Sequence, residues 1–398
     1  MEFIYGQYVR DVLWRQCITH RPDVATTYVR LNSWGNRHFF LLLRSLSSAE
    51  YPCVVGARRP WIVHPAIYAR GMDRYARMAF RLPHAYFSSK PPRDVETQVF
   101  VHDGNFPELE RLPWRARIRV EYNVSLPPPS HAPWKVMPLL MHPFVYAFGD
   151  EERAAQLRST SRGVRMFFGG NLDESAYSSS RSLTAIQTRF SLLDRPTIIR
   201  TLADGLGDQV QWIGCEGDWR TFCKSAVRRP VVFAGLNGFR IPPRQWLETL
   251  SKCDVFVAPS GVFFPLCHNL VEAMSVGCIP FTNYPEWHDP PLEHMRNCIA
   301  FSTREDLLEK AKMILSMDPP ELANMRQEVI RYYETYFNAN VFPKQLLERP
   351  AKDSTLFVVT DHQRYWKGVT RESVIFAGRQ QTRDDAGAEL QSFCAPAV

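Results

Sequence analysis

Apolar and polar positions along the chain fall into short alternating blocks. Residues 24–31 (VATTYVRL) are β-branched and apolar, Asn32-Ser33-Trp34-Gly35-Asn36 form a polar turn, residues 37–49 (RHFFLLLRSLSSA) carry helical spacing, and Tyr51–Gly56 (YPCVVG) is a second apolar run. Strand, turn, helix, strand is the repeating unit of a parallel α/β sheet, which presents ligands at the carboxyl ends of its strands. Residues 97–102 (TQVFVH), 117–122 (RIRVEY) and 60–65 add further short strands to this half.

Between residues 124 and 165 the pattern breaks. Pro127–Pro129, Pro133, Pro138 and Pro143 interrupt it, and a charged helical stretch, Asp150–Ser159, follows, so the domain boundary belongs here. Beyond it the alternation is clearer: a strand at 166–170 (MFFGG), a Ser-rich loop, a helix near 183–193, and strands at 196–200 (PTIIR), 211–214 (QWIG) and 231–235 (VVFAG). A helix near 243–252, a strand at 254–260 (DVFVAPS), a helix at 267–277, a strand at 278–283 (CIPFTN) and a helix opened by a Ser302-x-x-Glu305 capping box complete it. The expected organisation is an α/β domain over 1–160, a second over 161–340, and an extension over 341–398 that holds one more apolar run, 356–360 (LFVVT), before a loose polar tail. No repeat of about 20 to 50 residues is present, which argues against a solenoid or propeller.

Composition narrows this picture only a little. At 398 residues, 45% hydrophobic and 22% charged, the chain has the make-up of a folded protein of about two domains. The net charge of +7 is a mild excess that suits anionic lipid, nucleic acid or phosphorylated ligands alike. The Lys and Arg residues are scattered, with no basic stripe and no nucleic-acid motif, so a nucleic-acid partner is not expected. Arg70, Arg74, Arg77 and Arg81 recur at roughly helical intervals beside Tyr75, Met78 and Phe80; that face reads as a peripheral membrane contact or as an ordinary solvated helix face. Nine Cys residues contain no C-x-x-C pair and no zinc-spaced Cys/His set, and the odd count argues against a complete disulfide framework. With no signal-peptide core at the start and no apolar run of about 18 residues, the expected location is the cytoplasm.

Candidate chemistry concentrates between Leu250 and Asn283. An apolar strand (Asp254–Ala258) empties into Pro259-Ser260-Gly261, and a loop leads to a helix that starts near His268-Asn269 and ends at Gly277. Free N–H groups and the dipole at such a helix start suit a diphosphate without a metal. Glu272, four residues into the helix and read as lying on its first exposed turns, can accept two ribose hydroxyls; the plain alternative is an ordinary exposed helix carboxylate.

These residues resemble the donor-binding half of GT-B glycosyltransferases, family 1-like or exostosin-like, in which a strand ending in Pro-Ser precedes a helix reading L-V-E-A-M-x-x-G-x-x-P. Here the pattern stands as Pro259-Ser260 and Leu270 through Pro280, and the likeness extends loosely over 165–340. The resemblance implies a fold of two Rossmann-like domains facing a cleft, and a sugar transfer from a nucleotide-diphosphate donor to a hydroxyl of a glycan or lipid-linked acceptor, with no cofactor and no metal. It places the ribose on Glu272 and the diphosphate on backbone amides near Asn269 and Leu270, with Ser260, Gly261 and His268 alongside. Retaining members often carry a second Glu where this chain has Phe264, so an inverting mechanism is the expectation.

Three arginines next to expected strand ends, Arg200, Arg240 and Arg165, complement donor phosphates or simply solvate the surface; Arg240 and Arg200 are the preferred pair. The Gly169-Gly170 turn lets backbone approach a ligand or merely turns the chain. An inverting transfer needs a general base. His102-Asp103-Gly104-Asn105 ends a strand, which makes Asp103 the first candidate and His102 the second, against an Asx-turn that only closes the loop; His142 and His64 are further options. A sugar-nucleotide epimerase of the same fold and a non-enzymatic scaffold are the alternatives, the former lacking evident cleft carboxylates.

Overall fold

The computed structural model describes residues 26–32, 36–48, 50–56, 74–88, 90–178, 184–224, 229–235, 238–262, 264–360 and 363–377. The expected strand at 60–65, His64, Arg70, the turn residues Ser33–Gly35 and the tail beyond 377 lie outside the described residues. The chain divides into two compact units, residues 1–137 with 338–360, and residues 138–337 with 361–398. Both are Rossmann-like: parallel sheets with helical connections.

In the first unit the strands are β1 (Thr27–Arg30), β2 (Cys53–Gly56), β3 (Ala85–Ser88), β4 (Val99–His102), β5 (Ala116–Glu121), β6 (Trp134–Val136) and, far along the chain, β13 (Asp353–Phe357). They form one sheet in the order β3-β2-β1-β4-β5-β13-β6. The helix Arg37–Leu46 connects β1 to β2; Asn36 caps it by accepting the Phe39 N–H at 2.9 Å, and Phe39–Leu43 and Leu46 are buried. The run 353–357 is not part of an appended extension. It inserts between β5 and β6 with Asp353 opposite Arg117, and those two side chains pair at 2.7 Å.

The second unit holds β7 (Val164–Gly170), β8 (Val210–Trp212), β9 (Arg229–Gly235), β10 (Cys253–Val257), β11 (Ile279–Thr282) and β12 (Ile299–Ala300), ordered β12-β11-β10-β7-β9-β8. Its central strands β7 and β10 are buried throughout apart from the last residue of β7, which is why they read as unbroken apolar runs.

One expected strand is a helix. Residues 196–200 are β-branched, yet Arg195–Leu206 is helical: Asp194 accepts the Thr197 N–H at 2.7 Å, Pro196 sits in the first turn, and Ile198, Ile199, Leu202 and Leu206 are buried at helical spacing. The capping box expected at Ser302 is shifted by one residue. Thr303 accepts the Asp306 N–H at 3.1 Å, while the Asp306 carboxylate takes the Ser302 N–H at 2.8 Å.

Candidate functional site

The helix His268–Ser275 is placed by both of its ends. At the far end Gly277 adopts φ +74°, and Cys278 N–H bonds Ala273 O at 2.8 Å while Gly277 N–H bonds Met274 O at 3.0 Å, a Schellman closure that turns the chain directly into β11. Leu270, Val271, Ala273 and Met274 are fully buried. At the near end Asn269 donates its side-chain amide to Gly169 O at 3.2 Å, which pins the first turn to the carboxyl end of β7. Leu270 N–H is consumed by Cys267 O at 3.1 Å, so the expected pair of diphosphate amides is reduced. The Asn269 N–H has no acceptor among the described residues.

Beside this helix start lies a residue that the sequence reading passed over. Arg195 is 7% exposed and reaches across the carboxyl ends of β7 and β10: Nη1 is 3.4 Å from Asn171 O, Nη2 is 3.3 Å from Ser260 O, and Nη2 is 3.7 Å from Cys267 Sγ. Its Nε has no acceptor, and it makes no ion pair among the described residues. Asp194, the adjacent carboxylate, caps the helix instead. Gly170, at the end of β7, leaves room for this group; a Cβ there would stand 3.2 Å from Arg195 Nη1. Ser260 Oγ, fully buried, also lacks a partner. Tyr177 stands 5.8 Å from the guanidinium, and burial pushes its hydroxyl up to about 12. Buried guanidinium charge without a carboxylate is costly unless an anion supplies the compensation. The Asp194-Arg195-Pro196-Thr197 string, a capping residue followed by a first-turn proline, was the available signal that a helix starts here.

Glu272 is not on an exposed turn. It is 2% exposed, and both carboxylate oxygens are engaged: Oε1 accepts His142 N–H at 2.8 Å and Oε2 accepts Trp246 Nε1–H at 2.6 Å. Burial pushes the carboxyl up to about 7, while the two N–H donors pull it the other way. Trp246 in turn packs on β7, where a Cβ at Gly169 would fall 2.8 Å from the indole; the indole, not a ligand, explains that glycine. His268 is buried and donates from Nδ1 to Leu140 O at 2.6 Å, the carbonyl fixing that tautomer. Residues 140–142 therefore line the start of the helix, and the His142 and His268 rings meet edge to face at 5.7 Å.

The remaining expected residues stand elsewhere. Arg200 is on the solvent face of the Arg195–Leu206 helix, paired with Glu174, rather than at a strand end. Arg240 is exposed in the loop after β9. Arg165 is buried toward the amino end of β7, 3.5 Å from Asp254, which also binds Arg326 at 2.8 Å; this is a structural network at the edge of the sheet opposite the carboxyl ends of its strands. Gly261 N–H closes its loop onto Pro265 O at 3.2 Å, and Phe264 is buried in stacked contact with Trp366 at 5.2 Å.

In the first unit Asp103 follows β4, where its Oδ1 accepts Asn32 N–H at 2.6 Å and its Oδ2 accepts the Tyr122 hydroxyl at 3.1 Å, tying together the ends of β1 and β5. His102 is buried on Phe100, with ring centroids 4.7 Å apart, and its Nδ1 is 2.7 Å from Gly104 O. Among the described residues no helix is long and apolar enough to cross a membrane, and no three His, Cys, Asp or Glu side chains gather as a metal-ligand set.

No protein-family model and no curated protein matches the sequence. The fold is similar to that of solved structures. Anabaena HepE in complex with UDP-glucose is 12% identical with a TM-score of 0.39, over 81% of this chain and 98% of that one. The N-terminal domain of Candida albicans trehalose-6-phosphate phosphatase is 9% identical with a TM-score of 0.42, over 83% and 97%. AviGT4, a glycosyltransferase involved in avilamycin A biosynthesis, is 11% identical with a TM-score of 0.38, over 81% and 96%. What the site can bind follows from its own residues.

Proposed function

We propose that this protein is a glycosyltransferase, and that the second unit binds the diphosphate of a nucleotide sugar between the Arg195 guanidinium and the start of the His268–Ser275 helix. One observation carries the reading: a nine-tenths-buried arginine with no carboxylate lies over the carboxyl edge of a parallel sheet, beside a helix N-terminus whose Asn269 N–H is unclaimed. A diphosphate answers both features, because the guanidinium fork matches its oxygens and the helix start favours negative charge. The same groups would stabilise the charge that develops on the leaving nucleotide as the sugar departs, without a metal. Glu272 enters this scheme as a positioning residue that holds His142 and Trp246, not as the ribose contact. For transfer to a glycan or lipid-linked hydroxyl with inversion, the candidate base is Asp103, oriented by its bonds from Asn32 and Tyr122.

Thermal melting with UDP, GDP and ADP tests the binding step. One nucleoside diphosphate should raise the melting temperature of the wild type, with a dose dependence set by mass action, and should leave Arg195→Gln unmoved. Stabilisation by none of them, or an equal rise in Arg195→Gln, would overturn the proposal. Asp103→Asn should keep the nucleotide shift and lose turnover of the matching nucleotide sugar.

A further inference from the structure

The described residues include seven free cysteines. Burial pushes Cys53, Cys278 and Cys298 up to about 12, lifts Cys253 well above an ordinary thiol, and raises Cys223. Such thiols are poor nucleophiles. Cys267 differs in its setting. It is half-exposed, it immediately precedes the His268–Ser275 helix in extended backbone, and its sulfur lies 3.7 Å from Arg195 Nη2. The cation beside it is buried without a carboxylate, and the Ser260 hydroxyl and Arg195 Nε next to it are buried without partners. The surroundings are thus built for a negatively charged group, and the half-buried Cys267 among them can form a covalent bond.

We propose that Cys267 is a modification site that takes a small anionic disulfide of the glutathione type into the anion-binding site. In that exchange the Cys267 thiolate attacks one sulfur of the reagent. A new S–S bond forms, the old one breaks, and its electron pair leaves on the second glutathione sulfur, which takes up the proton that Cys267 released. The carboxylates of the attached half lie against Arg195 and the Asn269 N–H, where a donor's phosphates would otherwise bind. Modification and nucleotide binding therefore exclude each other; this last consequence rests on the function proposed above. A thiol-reducing agent restores the open site.

The full chain is treated at neutral pH with glutathione disulfide, which is anionic, or with cystamine, which is cationic, and modification is counted cysteine by cysteine through peptide mass mapping. The exposed Cys215 is the internal reference. At Cys267 the anionic reagent should react faster than the cationic one by about tenfold or more relative to the same ratio at Cys215, because the nearest uncompensated charge is positive. Arg195→Gln should bring that ratio down to the one at Cys215, and Arg195→Lys, which keeps a cation and a similar volume, should preserve the preference for the anion. No glutathione on Cys267, or a charge preference equal to that of Cys215 in the wild type, would overturn the inference. Saturating UDP or GDP should slow Cys267 alone. Charge-selective labelling that no nucleotide slows would uphold the thiol site and reject the nucleotide reading.

Discussion

Glu272→Gln separates burial from charge at the centre of the site. The wild-type carboxyl is held up at about 7 by burial, against 4.5 in an unfolded chain. Between those values the folded protein keeps a proton that the unfolded chain has released, so its contribution to stability is fully present below 4.5 and is lost as the pH rises through about 7. At about 1.4 kcal/mol per pH unit, ionising this group in place costs roughly 3 kcal/mol above neutrality. His288 works in the opposite sense. Burial drives it down to about 3 from 6.5, so the unfolded chain gains the proton first as the pH falls below 6.5, and stability declines toward acid. The two effects oppose one another over much of the acid range, and only a difference between wild type and variant isolates Glu272. Glutamine of the same shape turns an NH2 toward one of the two N–H donors, His142 or Trp246, leaving an unmet buried group at a cost of roughly 1–3 kcal/mol. Urea unfolding across about pH 5 to 9 should show the variant less stable than wild type at the acid end, with the gap closing or reversing above neutrality. A gap that stays constant with pH would refute the claim that Glu272 titrates in place near neutrality.

Three further outcomes follow from the packing. Asp254→Asn removes the carboxylate shared by the buried Arg165 and the half-buried Arg326, and urea unfolding should report a loss of about 3–5 kcal/mol with no change in the charge selectivity of Cys267 labelling. Gly169→Ala drives a methyl to 2.8 Å from the Trp246 indole; displacement of that ring should cost roughly 1–3 kcal/mol and appear as a shift in tryptophan fluorescence. Trp366→Ala withdraws the ring stacked on Phe264 and so frees the loop between Ser260 and the His268–Ser275 helix. Beyond a cavity cost of about 3–5 kcal/mol, donor KM should rise more than kcat falls.

Much of the architecture was legible because burial on both faces of a parallel strand forces near-continuous apolar runs, such as 166–170 and 254–257, and the chain must turn at glycine between them. The same rule misread 196–200. Ile198 and Ile199 suit either structure locally, and the decision lay with Asp194 and Pro196, which cap and start a helix whose apolar residues then meet the sheet. The run 356–360 was readable as apolar, but nothing local announces that the strand it overlaps, Asp353–Phe357, completes a sheet begun more than two hundred residues earlier.

The sequence by itself determined where a helix N-terminus meets the carboxyl edge of the sheet: a strand, a Pro-Ser exit and a glycine-terminated helix leave little freedom, since hydrogen bonding and capping are short-range. Only the tertiary structure decided which charges meet there. It buried Glu272 against His142 and Trp246, left Arg200 in solvent, carried Arg165 to the opposite edge, and brought Arg195 over two strand ends. Electrostatic roles depend on distance and on exclusion of water, and both are properties of residues far apart in the chain.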